Sequence, residues 1–153
     1  MQKLDNIDIK ILKILQENAR ISNLELAEMV NLSPTPCARR VKILEETGVI
    51  SDYQVKINQR ALGYQLSVFI AISMDKHTAE RFDNFEQKLR EFPEVVSCSV
   101  VTGRSEDYLI KAMVKDMAHY EEFLLHRLNK IEGVQQVHTS FELREVFSRS
   151  VTQ

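Results

Sequence analysis

Apolar residues recur three and four positions apart through the first 48 residues, which predicts a small bundle of helices. The second predicted helix opens on Ser22 and Glu25, a capping box in which each side chain bonds the other's backbone N–H. The apolar side of the first helix is formed by Ile7, Ile11, Ile14 and Leu15.

A third helix is predicted before Gly48, a residue that commonly ends helices. Its start is capped either by Ser33, before Pro34, or by Thr35, before Pro36, since proline suits the first helical position. Two short helices joined by a tight turn are typical of the helix-turn-helix that reads DNA.

The third helix is predicted to have two unlike sides, because each residue turns the helix by about 100°. Its apolar side carries Cys37, Val41 and Leu44 and is expected in the core. Its opposite side carries a hydroxyl, two cations and an acid: Thr35, Arg39, Lys42 and Glu46. The half of such a helix that enters a major groove is therefore basic.

Each polar residue of this helix has a candidate contact. Arg39 suits guanine edges, and Lys42 suits phosphate or base. Arg40 lies at the boundary of the core, where it contacts phosphate or pairs with an acid such as Glu28. The helix start, with Ser33, Thr35 and Pro36, can hold phosphate oxygens. The alternative is a solvated face on a three-helix module that never touches DNA.

After Gly48 the apolar period changes to two, which predicts a strand over residues 49–57. A β-α-β-β-α-β series then follows. Its strands are predicted at 66–74, from about 95 to 103, at 108–114 and at about 135–147. Its helices begin near Thr78 and Asp116. We predict an α+β protein with a winged-type helix-turn-helix domain (1–50), a strand and linker (51–64) and a C-terminal domain (65–153).

Right-handed crossovers place both helices of this series on one face of a four-stranded antiparallel sheet, the ferredoxin-like arrangement. The other face is left bare, and an apolar bare face favours a partner. Its candidate residues are Phe69, Ala71, Val101, Leu109 and Met113. A homodimer formed by facing sheets is the natural expectation.

Composition narrows the function classes. Of 153 residues, 44% are hydrophobic and 27% charged, as in soluble globular proteins. No apolar run reaches the roughly 18 residues of a membrane span, and no signal core opens the chain, so we expect a cytoplasmic protein without membrane contact. Cys37 and Cys98 match no metal spacing and are expected to be reduced thiols. The four histidines also match no metal-ligand spacing: His77, His119, His126 and His138. No metal and no cofactor are therefore predicted.

The net charge of −2 gives no global attraction to DNA, so any DNA footprint must be a local patch. The chain also contains no nucleophile elbow, phosphate loop, zinc signature or Cys/His pairing at motif spacing. We therefore expect a binding protein and not an enzyme.

The chain resembles the Lrp/AsnC (feast/famine) family of transcription regulators over nearly its whole length. The N-terminal resemblance rests on Leu4-Asp5, Asp8, Ile11-Leu12, Leu15-Gln16, Asn18-Ala19-Arg20, Glu25-Leu26-Ala27, Leu32-Ser33, Cys37, Arg39-Arg40-Val41, Leu44-Glu45 and Gly48-Val49-Ile50. The second half resembles the family's effector domain, with Val101–Tyr108 at its characteristic glycine and Asp-Tyr turn. Ile43 departs from the family, in which a basic residue is frequent there.

The resemblance implies a sequence-specific, nucleoid-associated regulator that forms dimers through its C-terminal sheets and assembles further, commonly into octamers. It also implies an effector, usually an amino acid such as leucine or methionine, bound in a cleft between dimers. The alternative is a DNA-binding assembly protein without an effector. The candidate effector residues are Gly103, Arg104, Ser105, Asp107, Tyr108, Thr139 and Ser140.

The chemistry of this turn is compatible with an amino acid. Gly103 lets the backbone approach a ligand, and turn N–H groups can hold a carboxylate. Asp107 can accept from an α-ammonium group, while Arg104 pairs with the carboxylate or with a neighbouring subunit. The alternative is a plain hairpin turn in which Asp107 bonds its own backbone.

Overall fold

The computed structural model describes residues 3–148. The chain divides into two compact units, one of residues 3–56 with 147–148 and one of residues 57–146. Across residues 3–148, every helix is too short or too polar to cross a bilayer.

The first unit contains three helices, α1, α2 and α3: Asn6–Glu17, Asn23–Met29 and Pro34–Glu46. Asp5 caps α1 by accepting the N–H of Asp8, whose side chain in turn accepts the N–H of Asp5. The predicted capping box of Ser22 and Glu25 opens α2. Local sequence signals therefore fix where both helices begin.

The three helices enclose a small apolar core of Ile11, Leu26, Ala27, Val30, Cys37 and Leu44. The turn between α2 and α3 is tight. Asn31 takes a positive φ of 56°, which asparagine tolerates, and the Leu32 N–H returns to the Ala27 carbonyl at 2.9 Å. The predicted helix-turn-helix is confirmed.

The last turn of α3 is closed by Gly48, whose φ of +72° lies in the left-handed region. The Gly48 N–H donates to the Glu45 carbonyl, and the Ile50 N–H donates to the Leu44 carbonyl. At the other end Ser33, and not Thr35, is the cap residue.

The strand predicted over residues 49–57 is wrong, because the structure places no strand in this segment. A strand needs an adjacent chain to satisfy its N–H and C=O groups, and alternation in the sequence does not supply one. Tyr53 instead turns back to α3, where its hydroxyl donates to the Glu45 carboxylate at 2.7 Å. Val55 is 86% exposed.

The second unit opens on a short 3₁₀ turn (Gln59–Leu62) and continues as β1, α4, β2, β3, α5 and β4: Leu66–Met74, Ala79–Arg90, Val95–Val100, Tyr108–Val114, Met117–Glu122 and Val134–Glu142. After α5 the chain continues as a π-helical turn (Phe123–Arg127) and a 3₁₀ turn (Leu128–Lys130). Thr78 and Asp116 cap α4 and α5.

The four strands form one antiparallel sheet in the order β2-β3-β1-β4. In its register Ile70 of β1 lies opposite Ile110 of β3 and Thr139 of β4. This is the predicted ferredoxin-like sheet, and the α+β class is confirmed.

The two faces of the sheet differ as the alternation predicts. The helix-covered face contributes Val68, Ile70, Ile72 and Ile110 to a core shared with Phe85, Leu89, Phe123 and Leu128. The opposite face, here called the outer face, is formed by Ser67, Phe69, Ala71, Leu109, Lys111, Met113, His138, Ser140 and Glu142. Lys111 pairs there with Glu142 at 3.1 Å and lies over the Phe69 ring.

Two strand ends were predicted too late. β2 ends at Val100 and not near Gly103, because residues 101–107 form the turn to β3 and Gly103 has a φ of +93°. β4 ends at Glu142 and not near residue 147, because its partner β1 begins there, with Ser67 opposite Glu142.

Candidate DNA-reading face and effector turn

Helix α3 has the two sides that its sequence predicts. Cys37 and Leu44 are buried at 0% and 1% exposure, and the half-buried Val41 packs against the same core. Thr35, Arg39, Lys42 and Glu46 are all exposed. The buried side fixes the rotation of the helix, so the cationic side cannot turn inward without exposing the core.

The two cations on this side are available at the surface. Lys42 makes only a loose pair with Glu46, at 3.6 Å between Nζ and Oε1. Both side chains of that pair are more than half exposed, so it costs little to exchange Glu46 for another anion. Arg39 and Lys42 can therefore present donors to phosphates or base edges.

The start of α3 is built differently from the starts of α1 and α2. The Ser33 hydroxyl makes no capping bond to the helix, so it can bond a phosphate oxygen. Pro34 and Pro36 bring no N–H to the first turn, which leaves Thr35 as its first backbone donor. The Asn23 side chain donates to the Pro34 carbonyl at 2.9 Å and fixes the start of α3 to that of α2.

Arg40 pairs with acids, but not with Glu28. Its guanidinium donates to Asp8 at 2.7 Å and to Asp5 at 2.8 Å, which ties α3 to the start of α1. Those bonds raise the pKa of Arg40, with the hydrogen bond to Asp8 as the largest cause. In this conformation the guanidinium is engaged by Asp5 and Asp8, and its contact with phosphate stays a prediction.

The turn between β2 and β3 is held by Asp107. One carboxylate oxygen accepts the Met74 N–H at 2.7 Å, and the other lies 2.8 Å from His77 Nε2. The Asp107 N–H donates to the Ile72 carbonyl, and the Ser73 hydroxyl donates to the Ser105 carbonyl. The turn is thus fixed to the end of β1, while residues 102–105 stay exposed.

This arrangement changes two expectations about the effector site. Asp107 bonds the backbone of β1 and not its own turn, and its carboxylate is engaged before any ligand arrives. Tyr108 is fully buried against Phe82 and Phe85, with its hydroxyl 3.0 Å from Glu86, because its position in β3 points to the helix-covered face. Its side chain is held in the core, where it also lines a groove between β2 and α4, and its role in effector binding stays a prediction.

One chain does not bring Thr139 and Ser140 to this turn. Thr139 lies on the helix-covered face and accepts from the Tyr120 hydroxyl at 2.8 Å, whereas Ser140 lies on the outer face. Both belong to β4, two strands away from β3. Gly103, Arg104 and Ser105 are contiguous and exposed.

Sequence reasoning missed the residues that support these sites. His77, which pairs with Asp107, follows β1 directly, and Asp8 reaches Arg40 from 32 positions away. The only local signal was an acid at the third helical position after Asp5, which marks a capping box and not an ion pair.

Two family models together match most of the chain. One, described as a winged helix-turn-helix DNA-binding domain, covers residues 4–51. The other, described as the Lrp/AsnC ligand binding domain, covers residues 67–152.

Relatives and solved structures agree with these matches. A Bkd operon transcriptional regulator of Pseudomonas aeruginosa is 39% identical over 150 residues, covering 98% of this chain and 97% of that protein. A leucine-responsive regulatory protein of Haemophilus influenzae is 41% identical over 143 residues, covering 94% and 86%. A transcriptional regulator of Neisseria meningitidis, solved as its complex with L-Met, superposes with a TM-score of 0.91 at 40% identity, covering 97% and 95%.

Proposed function

Because the chain belongs to the Lrp/AsnC family of DNA-binding transcription regulators, we propose that α3 reads the major groove and that an amino acid bound at the β2–β3 turn controls assembly. The relatives are regulators and not enzymes. The sidedness of α3, with Arg39 and Lys42 exposed opposite the buried Cys37 and Leu44, is the observation that carries the DNA-reading part.

The contacts are divided among the residues of α3. Arg39 reads a base edge, and Lys42 contacts phosphate or base. Ser33, Thr35 and Pro36 lie against the phosphate backbone, where hydroxyls and a helix start are suited to bond. Arg40 positions α3 on α1 through Asp5 and Asp8.

The DNA-reading face is tested with Arg39→Ala and Lys42→Ala and the DNA upstream of the protein's own gene. We expect Arg39→Ala to weaken specific binding by about 1–3 kcal/mol and to relax base preference. Lys42→Ala should weaken binding to all sequences and reduce the salt dependence. Lys88→Ala, an exposed lysine of α4, is the control. Unchanged affinity in both α3 variants would remove the assignment of this face.

The effector part rests on the exposed turn and on the neighbour with bound L-Met. The N–H groups of Gly103, Arg104 and Ser105 are suited to a carboxylate, and the Arg104 guanidinium adds a cation beside them. Asp107 holds the turn in place and exchanges His77 for the α-ammonium group of the ligand. An apolar amino acid such as leucine or methionine is the proposed effector.

The remaining walls of this site come from a second copy, because Thr139 and Ser140 lie two strands away from the turn in one chain. A homodimer through the outer faces, assembled further into octamers, would bring such residues together. In this arrangement the effector acts by favouring one assembly over another. The protein would work in the cytoplasm on the nucleoid.

A thermal-shift screen of all twenty amino acids tests the effector site. A ligand at about 100 times its dissociation constant adds about 2.7 kcal/mol to the native state. We expect a response to leucine or methionine that Arg104→Ala reduces and that Lys130→Ala, an exposed control, retains. If no amino acid raises the unfolding temperature, the second candidate function stands, a DNA-binding assembly protein without an effector.

A further inference from the structure

Strand β2 is an open edge of the sheet in the described chain, since β3 is its one neighbour in the order β2-β3-β1-β4. Its residues Val95–Val100 read Val-Val-Ser-Cys-Ser-Val and include no charge and no proline. Edge strands often carry charges, proline or a β-bulge, and each of these prevents pairing with another chain. β2 has an irregularity only at its start, where the register with β3 shifts between Val95 and Ser97. Val96 and Val100 are 55% and 60% exposed. The regular part of the edge, from Ser97 to Val100, is therefore suited to accept another strand.

The backbone pattern shows which groups face outward. The Val101 N–H donates to the Asp107 carbonyl, so Ser99 and Ser97, at two-residue steps, direct their N–H and C=O groups to β3. The backbone N–H and C=O groups of Cys98 and Val100 then point to the open edge. A strand that pairs there must offer its own groups at matching two-residue steps.

The sequence of β2 is self-complementary around Cys98. Read in either direction from Cys98, the chain runs serine and then valine, so residues 96–100 form a palindrome. In an antiparallel pair about a two-fold axis, Cys98 would lie opposite Cys98 of a second copy. Ser97 would lie opposite Ser99 of the second copy, and Val96, which lies at the irregularity of β2, would end the pairing opposite Val100. β-branched cross-strand pairs of this kind stabilise antiparallel sheets.

The surroundings of Cys98 fit the same axis. A groove of about 400 Å³ runs between β2 and α4, lined by Leu89, Phe92, Cys98 and Val100, with Glu86 and Arg90 at its rim. Glu86 and Arg90 lie one turn apart on α4 and carry opposite charges, 3.5 Å from each other. A two-fold axis through Cys98 places Glu86 of one copy toward Arg90 of the other.

We propose that β2 pairs antiparallel with β2 of a second copy, centred on Cys98, and joins two sheets edge to edge. This interface is distinct from the outer face and does not rest on it. A chain with both interfaces has two independent two-fold contacts, and these allow dimers to assemble further.

Cysteine crosslinking in the full-length protein tests the register. Cα atoms of a hydrogen-bonded antiparallel pair are about 5.5 Å apart, within the span of a disulfide. Cys98 is exposed, but partial desolvation beside the groove raises the pKa of its thiol to about 11, so copper phenanthroline is added as the oxidant. We expect a disulfide-linked dimer from the wild type and its loss in Cys98→Ser, which retains the buried Cys37.

Cysteines placed at other positions of β2 distinguish crosslinking in this register from crosslinking by random collision. With Cys98→Ser in the background, Ser97→Cys alone should not crosslink, because its own copies lie roughly 8 Å apart. A mixture of Ser97→Cys and Ser99→Cys should crosslink, since these positions face each other. Lys130→Cys, at an exposed turn, gives the collision rate. Wild-type crosslinking no faster than that control overturns the proposal.

A charged residue at the β2 edge tests the proposed interface without crosslinking. Val100→Lys should weaken the self-association measured by sedimentation at least tenfold, because paired strands would bury its ammonium group. Leu125→Lys, in the π-helical turn after α5 and 46% exposed, is the matched control. Circular dichroism shows whether each variant is folded. A folded Val100→Lys that assembles like the wild type also overturns the proposal.

Discussion

At the scale of single residues, Glu94 is the most deeply buried carboxylate of the second unit, at 4% exposure. One oxygen bonds Arg127 at 2.6 Å and His119 at 3.0 Å, while the other has no partner among the described residues. The His119 Nδ1 accepts the Lys115 N–H, so its Nε2 carries the proton donated to Glu94. Burial raises the pKa of Glu94, but its own backbone N–H, Arg127 and His119 together hold it below the ordinary 4.5.

This depressed pKa predicts the acid sensitivity of the protein. The stability it contributes is present above the unfolded pKa and is lost as the pH falls through the lower folded value. Glu94→Gln should reduce the free energy of unfolding at pH 7 by on the order of 1–3 kcal/mol. It should also flatten the loss of stability below pH 4.5, the ordinary pKa of a glutamate. Urea titrations from pH 7 to pH 3 measure both effects, with the exposed Glu91→Gln as the control. Parallel curves for Glu94→Gln and wild type would contradict the assignment.

Arg40 and Asp107 show how far residue-level prediction reaches. Periodicity correctly placed Arg40 at the core boundary, since helical rotation is a local property. It could not identify Asp5 and Asp8 as partners, because that pairing depends on how α1 packs on α3. Asp107 was likewise predicted at the correct turn, but its bond to Met74 depends on the approach of β1. Local geometry was predictable from sequence, whereas partners distant in the chain were not.

At the scale of elements, each of the two β-α-β halves contains an ion pair between the start of its helix and a segment of the other half. Arg81 and His119 each lie three residues after a cap residue, Thr78 and Asp116. Arg81 binds Glu132, two residues before β4, at 2.6 Å, and His119 binds Glu94, one residue before β2. Each helix start is thereby tied to the segment that leads into the strand of the other half.

Gly133 leaves the space that the Arg81 side chain needs to pair with Glu132. Its φ is +98°, and a Cβ there would overlap the Arg81 side chain. Gly133→Ala should therefore cost both backbone strain and the Arg81 contacts. Gly103→Ala is the matched control, because φ is +93° but the space beside it is open. We expect Gly133→Ala to be more destabilising by about 1–3 kcal/mol, measured by urea unfolding. Equal losses would show that Arg81 moves aside without cost.

Element boundaries were less predictable than element types. The capping residues fixed the helix starts, because a cap bonds a backbone a few positions away. The ends of β2 and β4 and the absent strand at residues 49–57 depend on where a neighbouring strand lies, which periodicity does not encode. The π-helical turn at Phe123–Arg127 was missed for a similar reason, since it places Arg127 against Glu94 and the Phe92 ring.

At the scale of the whole molecule, the proposed dimer would bring two copies of α3 to one DNA, where two linked contacts bind far more tightly than one. Leu109 lies on the outer face at 43% exposure, and Leu125 lies in the π-helical turn after α5 at 46% exposure. A charge at Leu109 would be buried if outer faces meet, whereas a charge at Leu125 would remain in water. The pair of variants therefore separates loss of the interface from loss of surface hydrophobicity.

Leu109→Glu should abolish the outer-face dimer, detected as a smaller sedimenting species, and should weaken specific DNA binding at least tenfold. The monomeric variant should still bind DNA without strong sequence preference. Its Arg39 and Lys42 are unchanged, and phosphate contacts do not depend on sequence. Leu125→Glu should retain both assembly and affinity. If Leu109→Glu sediments and binds DNA like the wild type, the outer face is not the dimer interface, and the second copy that completes the effector site must approach from elsewhere.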